Sequence, residues 1–265
     1  MWAQSPLSRG CLVIGLRYAA PFAVFRDFTA GYFRSTFRFT SYSALYGLLL
    51  NIAGVEMRAT LGQGPTLVKE SLPSFEVASA VASRVSERHS FGFNEEQSVL
   101  PTSGVLFQQL HSLPVGSTNK HRIPLTKGNK HHISPGRRQL LIGLRGICFV
   151  KAEPEFEERL RVGLSGEPLE QERYGVPFLG DNSFMLEELE IIEPGQSGPV
   201  SWIVRDKEDD FDFFGNTGAG PTPFRLTIWA DREGMNQTRS EFFVTEDGEL
   251  NSPPESAWVR VGPVG

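Results

Sequence analysis

Residues 97–150 contain no aspartate or glutamate. They carry seven Lys/Arg: Lys120, Arg122, Lys127, Lys130, Arg137, Arg138 and Arg145. They also hold four of the five histidines: His111, His121, His131 and His132. Apolar runs at 105–109 and 139–150 flank the polar middle, and each reads as a strand. The middle, 111–136, is broken by Pro114, Gly116, Pro124, Gly128 and Pro135. The pattern is a strand, a long excursion and a returning strand, so the basic segment sits inside a fold and is neither tail nor linker. An excursion of this length in a compact domain is usually functional or disordered.

The rest of the chain has the opposite charge. Residues 1–150 hold 16 basic and 7 acidic side chains, net +9. Residues 151–265 hold 10 and 24, net -14, which leaves the whole chain at -5. Such a split points to one face that meets a polyanion and another that avoids it. At 265 residues, 40% hydrophobic and 11% aromatic, the chain can bury a large core and is not disordered. Its 20 phenylalanines can serve as core or as stacking platforms. Cys11 and Cys148 sit in apolar runs without metal-type spacing, and read as buried free thiols. The N-terminal residues lack a signal-peptide apolar stretch, and no apolar run approaches the ~20 residues of a membrane span. The expectation is a soluble, cytoplasmic protein with no membrane partner.

Residues 12–18 (LVIGLRY) predict a first strand ending toward Pro21. An Arg- and aromatic-rich segment follows. Ser41 or Ser43 then caps a helix to about Ala53, with Ala44, Leu45, Leu48, Leu49 and Ile52 at helical spacing and Gly54 closing it. Residues 58–75 read as strand or loop. Pro154 opens an acidic helix, PEFEERLRV, with proline and glutamate favourably placed in its first turn. After a glycine-rich turn at 173–182, a strand begins near Phe184. The order is that of a βαββαβ plan, as in ferredoxin-like and RNA-recognition folds. Strands at 200–205, 224–230, 241–245 and 257–261 follow, separated by an acidic loop at 206–212 and a glycine-rich loop at 215–220. The expected class is α+β: a ferredoxin-like (RRM-like) domain over 1–195, with a long basic hairpin insertion at about 111–136, and a β-rich extension over 196–265.

Two segments have residues suited to nucleic acid. Lys and Arg of the arm neutralise phosphates, and its histidines can stack or hydrogen-bond. A merely solvated loop would mix both charge signs. Around residues 25–47, Arg26, Arg34 and Arg38 lie among aromatic rings, just before a helix start at Ser41 and Ser43. A helix N-terminus with nearby arginines suits phosphate. The alternative there is an ordinary cap beside an apolar strand. The histidines have no nearby acid or cysteine to complete a metal site, so no metal or cofactor is expected. Acid–base ribonuclease chemistry by a histidine with Tyr46 and Lys130 is the enzymatic alternative. The run FGNTGAGP lacks the Lys-Ser/Thr ending of a phosphate loop and reads as flexible. The carboxylates Glu208, Asp209 and Asp210 have the composition of a solvated surface.

Three segments together resemble the fifth CRISPR-associated protein family, here Cas-five, RAMP-type subunits of type I Cascade complexes. They are Phe25-Arg26-Asp27-Phe28-Thr29-Ala30-Gly31 leading into Ser43-Ala44-Leu45-Tyr46-Gly47-Leu48-Leu49-Leu50-Asn51-Ile52-Ala53-Gly54; Lys127-Gly128-Asn129-Lys130-His131-His132-Ile133-Ser134-Pro135-Gly136-Arg137-Arg138; and Arg173-Tyr174-Gly175-Val176-Pro177-Phe178-Leu179-Gly180-Asp181-Asn182. The resemblance spans residues 12–190 and is nearest the I-B or Myxococcus-like branch, which includes transposon-associated versions. Where many relatives have a proline-rich run before the first helix, this chain has Phe39-Thr40-Ser41-Tyr42.

The resemblance implies a non-catalytic subunit that grips the 5′ handle of the CRISPR RNA and caps the guide complex. It would do so beside Cascade backbone (Cas-seven) and large (Cas-eight) subunits, near the target DNA. The outcome would be antiviral defence or, with transposition proteins, RNA-guided insertion. The RNA-facing residues expected are Arg26, Arg34, Arg38, Ser41, Ser43, Tyr46, His111, Lys120, His121, Arg122, Lys127, Asn129, Lys130, His131, His132, Arg137 and Arg138. Two alternatives are a metal-independent endoribonuclease acting on precursor RNA and a scaffold whose arm docks on an acidic protein.

Overall fold

The computed structural model describes residues 12–27, 33–59, 68–69, 71–82, 85–88, 94–97, 100–114, 131–167, 175–181, 183–192, 195–206, 222–231 and 237–263. It is a sheet-rich α+β structure. In chain order the first elements are β1 (Leu12–Ala23), β2 (Phe33–Arg34), α1 (Tyr42–Ile52), β3 (Phe75–Ala82), β4 (Val85–Arg88), β5 (Asn94–Gln97) and β6 (Thr102–Pro114). They are followed by β7 (His131–Ala152), α2 (Pro154–Ser165), β8 (Glu188–Ile192), β9 (Pro199–Arg205), β10 (Phe224–Trp229), β11 (Arg239–Glu249) and β12 (Trp258–Val261). The main sheet runs β10-β11-β9-β3-β7-β1-β8, with β12 beside β3, while β2 and β6 join β7. Strands β4 and β5 form a separate pair. Within the main sheet, β1, β3, β7 and β8 are mutually antiparallel where they pair, in the order β8-β1-β7-β3. Helix α1 lies between β1 and β3 in the chain, and α2 between β7 and β8.

The helices begin and end where local chemistry dictates. The backbone N–H of Ala44 donates to the Ser41 hydroxyl at 3.3 Å, which makes Ser41 the N-cap of α1. Seven of the 11 α1 residues are buried, all of them aromatic or aliphatic, so the helix is wedged in the core instead of floating on it. No basic residue lies in its last turn. Arg159 of α2 does that work from outside, donating to the carbonyls of Ala53 at 2.9 Å and Gly54 at 3.1 Å. Pro154, Glu155 and Glu157 suit the N-terminal turn of α2, whose Phe156 and Leu160 are buried.

Strand alternation sorts the core onto two faces. Phe75, Val77 and Val81 of β3 join the α1 and α2 side, whereas Ala78 and Ala80 turn to a second cluster around Trp202 and Trp258. Lys151 covers the outer ring of that cluster, its ammonium 3.9 Å from the Trp258 ring centre. Cys148 is fully buried and its thiol is pushed up to about 12 by desolvation. Cys11 lies outside the described residues.

The structure corrects the sequence reading at three places. The core strand after α1 is β3 (Phe75–Ala82), not 105–109. Its sequence FEVASAVA is small or apolar almost throughout because both faces are covered, so it lacks the alternation of a half-exposed strand. Residues 105–109 belong instead to β6, which pairs only with the first half of β7. The polar stretch 111–136 is not all loop: β6 continues to Pro114 and β7 starts at His131. Residues 115–130 lie outside the described residues. The turn around Phe184 precedes its strand, β8, which starts at Glu188. The loops at 207–212 and 215–220 also lie outside the described residues. Beyond residue 195, β9 pairs with β3 and β11, continuing the same sheet. Among the described residues, no helix is long and apolar enough to cross a membrane.

Strand β7 has 22 residues and is the spine, about 70 Å long at ~3.3 Å per residue. Its C-terminal half is flanked by β1 and β3, and its N-terminal half by β2 and β6. The change of neighbours falls near Gly143, which has φ +70° within the strand. Across the ladder, between the pairs Ala20↔Leu144 and Phe22↔Ile142, stands Pro21, which has no N–H to give. A Cβ at Gly143 would touch nothing within 4 Å, so only its backbone angle resists substitution. We expect Gly143→Ala to lose about 1–2 kcal/mol of stability, the cost of a left-handed L-residue. Gly143→Asn should lose less, because asparagine tolerates that conformation. The shift in urea midpoint measures both, and an unchanged midpoint for the alanine variant contradicts this assignment.

Candidate nucleic-acid interface

The outer half of β7 is bordered on one side by the chain that leaves β1. Phe25 and Thr36 clasp this connection: the Phe25 N–H donates to the Thr36 hydroxyl at 2.7 Å, and that hydroxyl donates to the Phe25 carbonyl at 3.1 Å. The Phe37 N–H donates to the same carbonyl at 2.9 Å. The Thr36 N–H reaches the Gln139 side chain on β7 at 3.3 Å. Asp27, the one acid here, accepts from Ser35. These bonds hold β2 in parallel register with β7, Phe33 beside Arg137 and Arg34 beside Arg138.

On the other side β6 runs antiparallel, with Phe107 opposite Arg137 and Leu106 opposite Arg138. Two rows therefore cross the hairpin. On one face lie Phe33, Arg137 and Phe107. On the opposite face lie Arg34, Arg138 and Leu106. In the first row the Arg137 guanidinium stands 5.3 Å from the Phe107 ring centre. Phe107 is 74% exposed, Val105 two residues away 58% and Phe33 47%. In the second row Arg138 forms an ion pair with Asp181.

Asp181 comes from the glycine-rich turn. Gly180 has φ +82°, and a Cβ there would stand 2.1 Å from the Val24 carbonyl oxygen. Only glycine lets the turn lie this close to β1. Phe184 then approaches Phe22, ring centres 6.1 Å apart, and the Glu187 N–H donates to the Ala19 carbonyl at 2.9 Å. The turn thus fastens the base of the hairpin from the side opposite Phe107. Burial works to raise the Asp181 carboxyl. The Ser183 N–H at 2.8 Å and the Arg138 guanidinium outweigh it and hold the group below the usual aspartate range.

The expected site residues divide accordingly. Arg26, Arg34, Arg38 and Arg137 are exposed. Arg138 is mostly buried against Asp181. Ser41 is 5% exposed, and its hydroxyl serves as cap and contacts the Ser43 hydroxyl at 3.2 Å. Tyr46 is buried, its hydroxyl donating to the Pro73 carbonyl at 2.8 Å, and desolvation raises its pKa well above the ordinary tyrosine value. Neither Ser41 nor Tyr46 shares a surface with the exposed arginines. His111, His131 and His132 are placed by backbone register only: His111 pairs with Ile133, His132 with Ser112 and His131 with Pro114. Lys120, His121, Arg122, Lys127, Asn129 and Lys130 lie outside the described residues. No group of three or more metal-ligating side chains occurs among the described residues. Val105 and Phe107 escaped the sequence reading, and Phe33 entered it only as one of the rings around Arg26, Arg34 and Arg38, since an apolar strand residue gives no sign of which face stays uncovered.

The Asp181 pair gives a pH test. A carboxyl held below its ordinary value stabilises the fold fully above that value, 3.8, and loses the contribution as pH falls through the folded value. We expect Asp181→Asn to lower stability by about 1–2 kcal/mol at neutral pH, as for a charge-assisted hydrogen bond. The gap from the parent protein should close below roughly pH 4. Denaturant unfolding across pH measures it, and a gap that persists in acid contradicts the role given to the charge.

No family model matches the chain, and no curated protein matches it. Among solved structures it is similar to a chain of a structure titled "CRISPR RNA-guided surveillance complex", at 13% identity and TM-score 0.48, over 90% of each chain. It is also similar to one titled "Crystal structure of Cas protein", at 11% identity and TM-score 0.37, over 92% of this chain and 100% of that one. Likenesses this distant carry no functional argument.

Proposed function

We propose that this chain is a non-catalytic subunit of a type I CRISPR Cascade complex, of the Cas-five kind, and that it grips the 5′ handle of the CRISPR RNA. The observation that carries the reading is the hairpin of β6 and β7. It outruns the body strands, has no carboxylate of its own, and carries exposed cations on both faces, Arg137 on one and Arg34 of the adjoining strand on the other. An anionic strand laid along it meets cations without like-charge repulsion.

Other features fit. The order β8-β1-β7-β3, with helices between β1 and β3 and between β7 and β8, supports a ferredoxin-like βαββαβ core within residues 1–195. Residues 196–265 would then be an extension that widens its sheet. Their acidic character suits a face turned from RNA, toward a large (Cas-eight) subunit or solvent, while the hairpin tip would meet a backbone (Cas-seven) subunit. The I-B-like branch, the service to antiviral defence or RNA-guided transposition, and the cytoplasmic setting belong to the same proposal. The buried Tyr46 hydroxyl favours a binding role over the ribonuclease alternative.

The test is the salt dependence of binding by the full chain to repeat-derived RNA. Changing Lys127, Lys130 and Arg137 together to Ala should flatten the log-affinity against log-salt slope by about 2 units, at ~0.7 per single-strand phosphate. A slope that does not move refutes the arm as the RNA grip.

A further inference from the structure

We infer that the row Phe33–Arg137–Phe107 is a site for two unpaired nucleotides, one base on each ring and the phosphate between them on Arg137. The inference rests on the RNA-binding reading and deepens it, by naming the part of RNA that this face takes.

Single exposed rings are common on protein surfaces and need no explanation. These two are different because of their arrangement. Three neighbouring strands place them in one row, and a guanidinium stands between them by register. The pattern along the row is aromatic, cation, aromatic, which matches base, phosphate, base. Adjacent strands lie about 4.8 Å apart, so the two outer positions are about 10 Å apart. That is wider than the ~3.4 Å step of a stacked strand. The row therefore suits an opened-out dinucleotide and rejects a duplex, whose bases are turned inward.

The row is also preorganised. Arg137 already lies over the Phe107 ring at 5.3 Å, which limits its freedom before any ligand arrives. Beneath it, Arg138 is fixed by Asp181, and that turn is fixed by Gly180 against Val24. The platform thus has a rigid backing on the face away from RNA. A protein partner could also cover exposed phenylalanines. The hairpin's own lack of carboxylates and the exposed Arg137 within the row favour an anionic ligand with flat faces.

The experiment uses the full chain, a fluorescein-labelled oligouridylate and a blunt RNA duplex, read by anisotropy over a salt series. Phe33→Ala and Phe107→Ala should each weaken oligouridylate binding roughly 5- to 150-fold, the equivalent of ~1–3 kcal/mol per stacked base. Their salt slopes should stay parental, because a ring releases no counterions, and duplex binding should not change. Phe107→Tyr should bind like the parent, which separates stacking from misfolding. Arg137→Gln should flatten the slope by ~0.7. Alanine variants that bind oligouridylate normally, or lose duplex and oligouridylate alike, overturn the platform while leaving the RNA-binding reading intact. A parent protein that binds neither probe overturns both.

Discussion

A strand of 22 residues offers backbone N–H and C=O groups along two edges, and β7 pairs with two different sets of neighbours along its length. Its body half is held by β1 and β3, both buried in a core with helices on one face and tryptophans on the other. Its outer half is held by β2 and β6, which have no helices over them in the described structure. Gly143, in a left-handed conformation opposite the proline of β1, stands near the change. One continuous backbone thus joins a packed domain to an outward ribbon. The ribbon's geometry is inherited from the domain's, without relying on a flexible linker.

Positioning of the ribbon depends on a second contact. The turn at 175–181 presses Gly180 against Val24 and brings Asp181 to Arg138. Of two adjacent arginines, strand alternation sends one to each face. Arg138 becomes a structural cation that anchors the ribbon, and Arg137 remains exposed. Their identical chemistry in sequence conceals opposite roles, which the register decides. The same register explains why Phe107 stays in solvent: its row faces away from the turn that covers the other side.

Both helices could be read from local chemistry. Ser41 with Ala44 sets the start of α1 and Gly54 follows its end, while Pro154 sets the start of α2. The charge split and the strand–excursion–strand pattern were visible too. Strand β3 was not, because FEVASAVA is covered on both faces and carries neither a strand's alternation nor a turn at its centre. The site was legible only as a composition. Phe33, Arg137 and Phe107 meet through pairings that join distant parts of the chain, and no local pattern encodes such a register. Ser41 illustrates the converse: its capping role was readable, and that role is what buries its hydroxyl.

The central claim is that the outer half of β7, with β2 and β6, is the nucleic-acid face. Hydrogen exchange of the full chain, with and without repeat-derived RNA, tests it most directly. The account predicts slowed exchange across residues 33–34, 102–114 and 131–142, with β9 to β11 unchanged. Bound RNA that protects the C-terminal strands and leaves the hairpin untouched would contradict it.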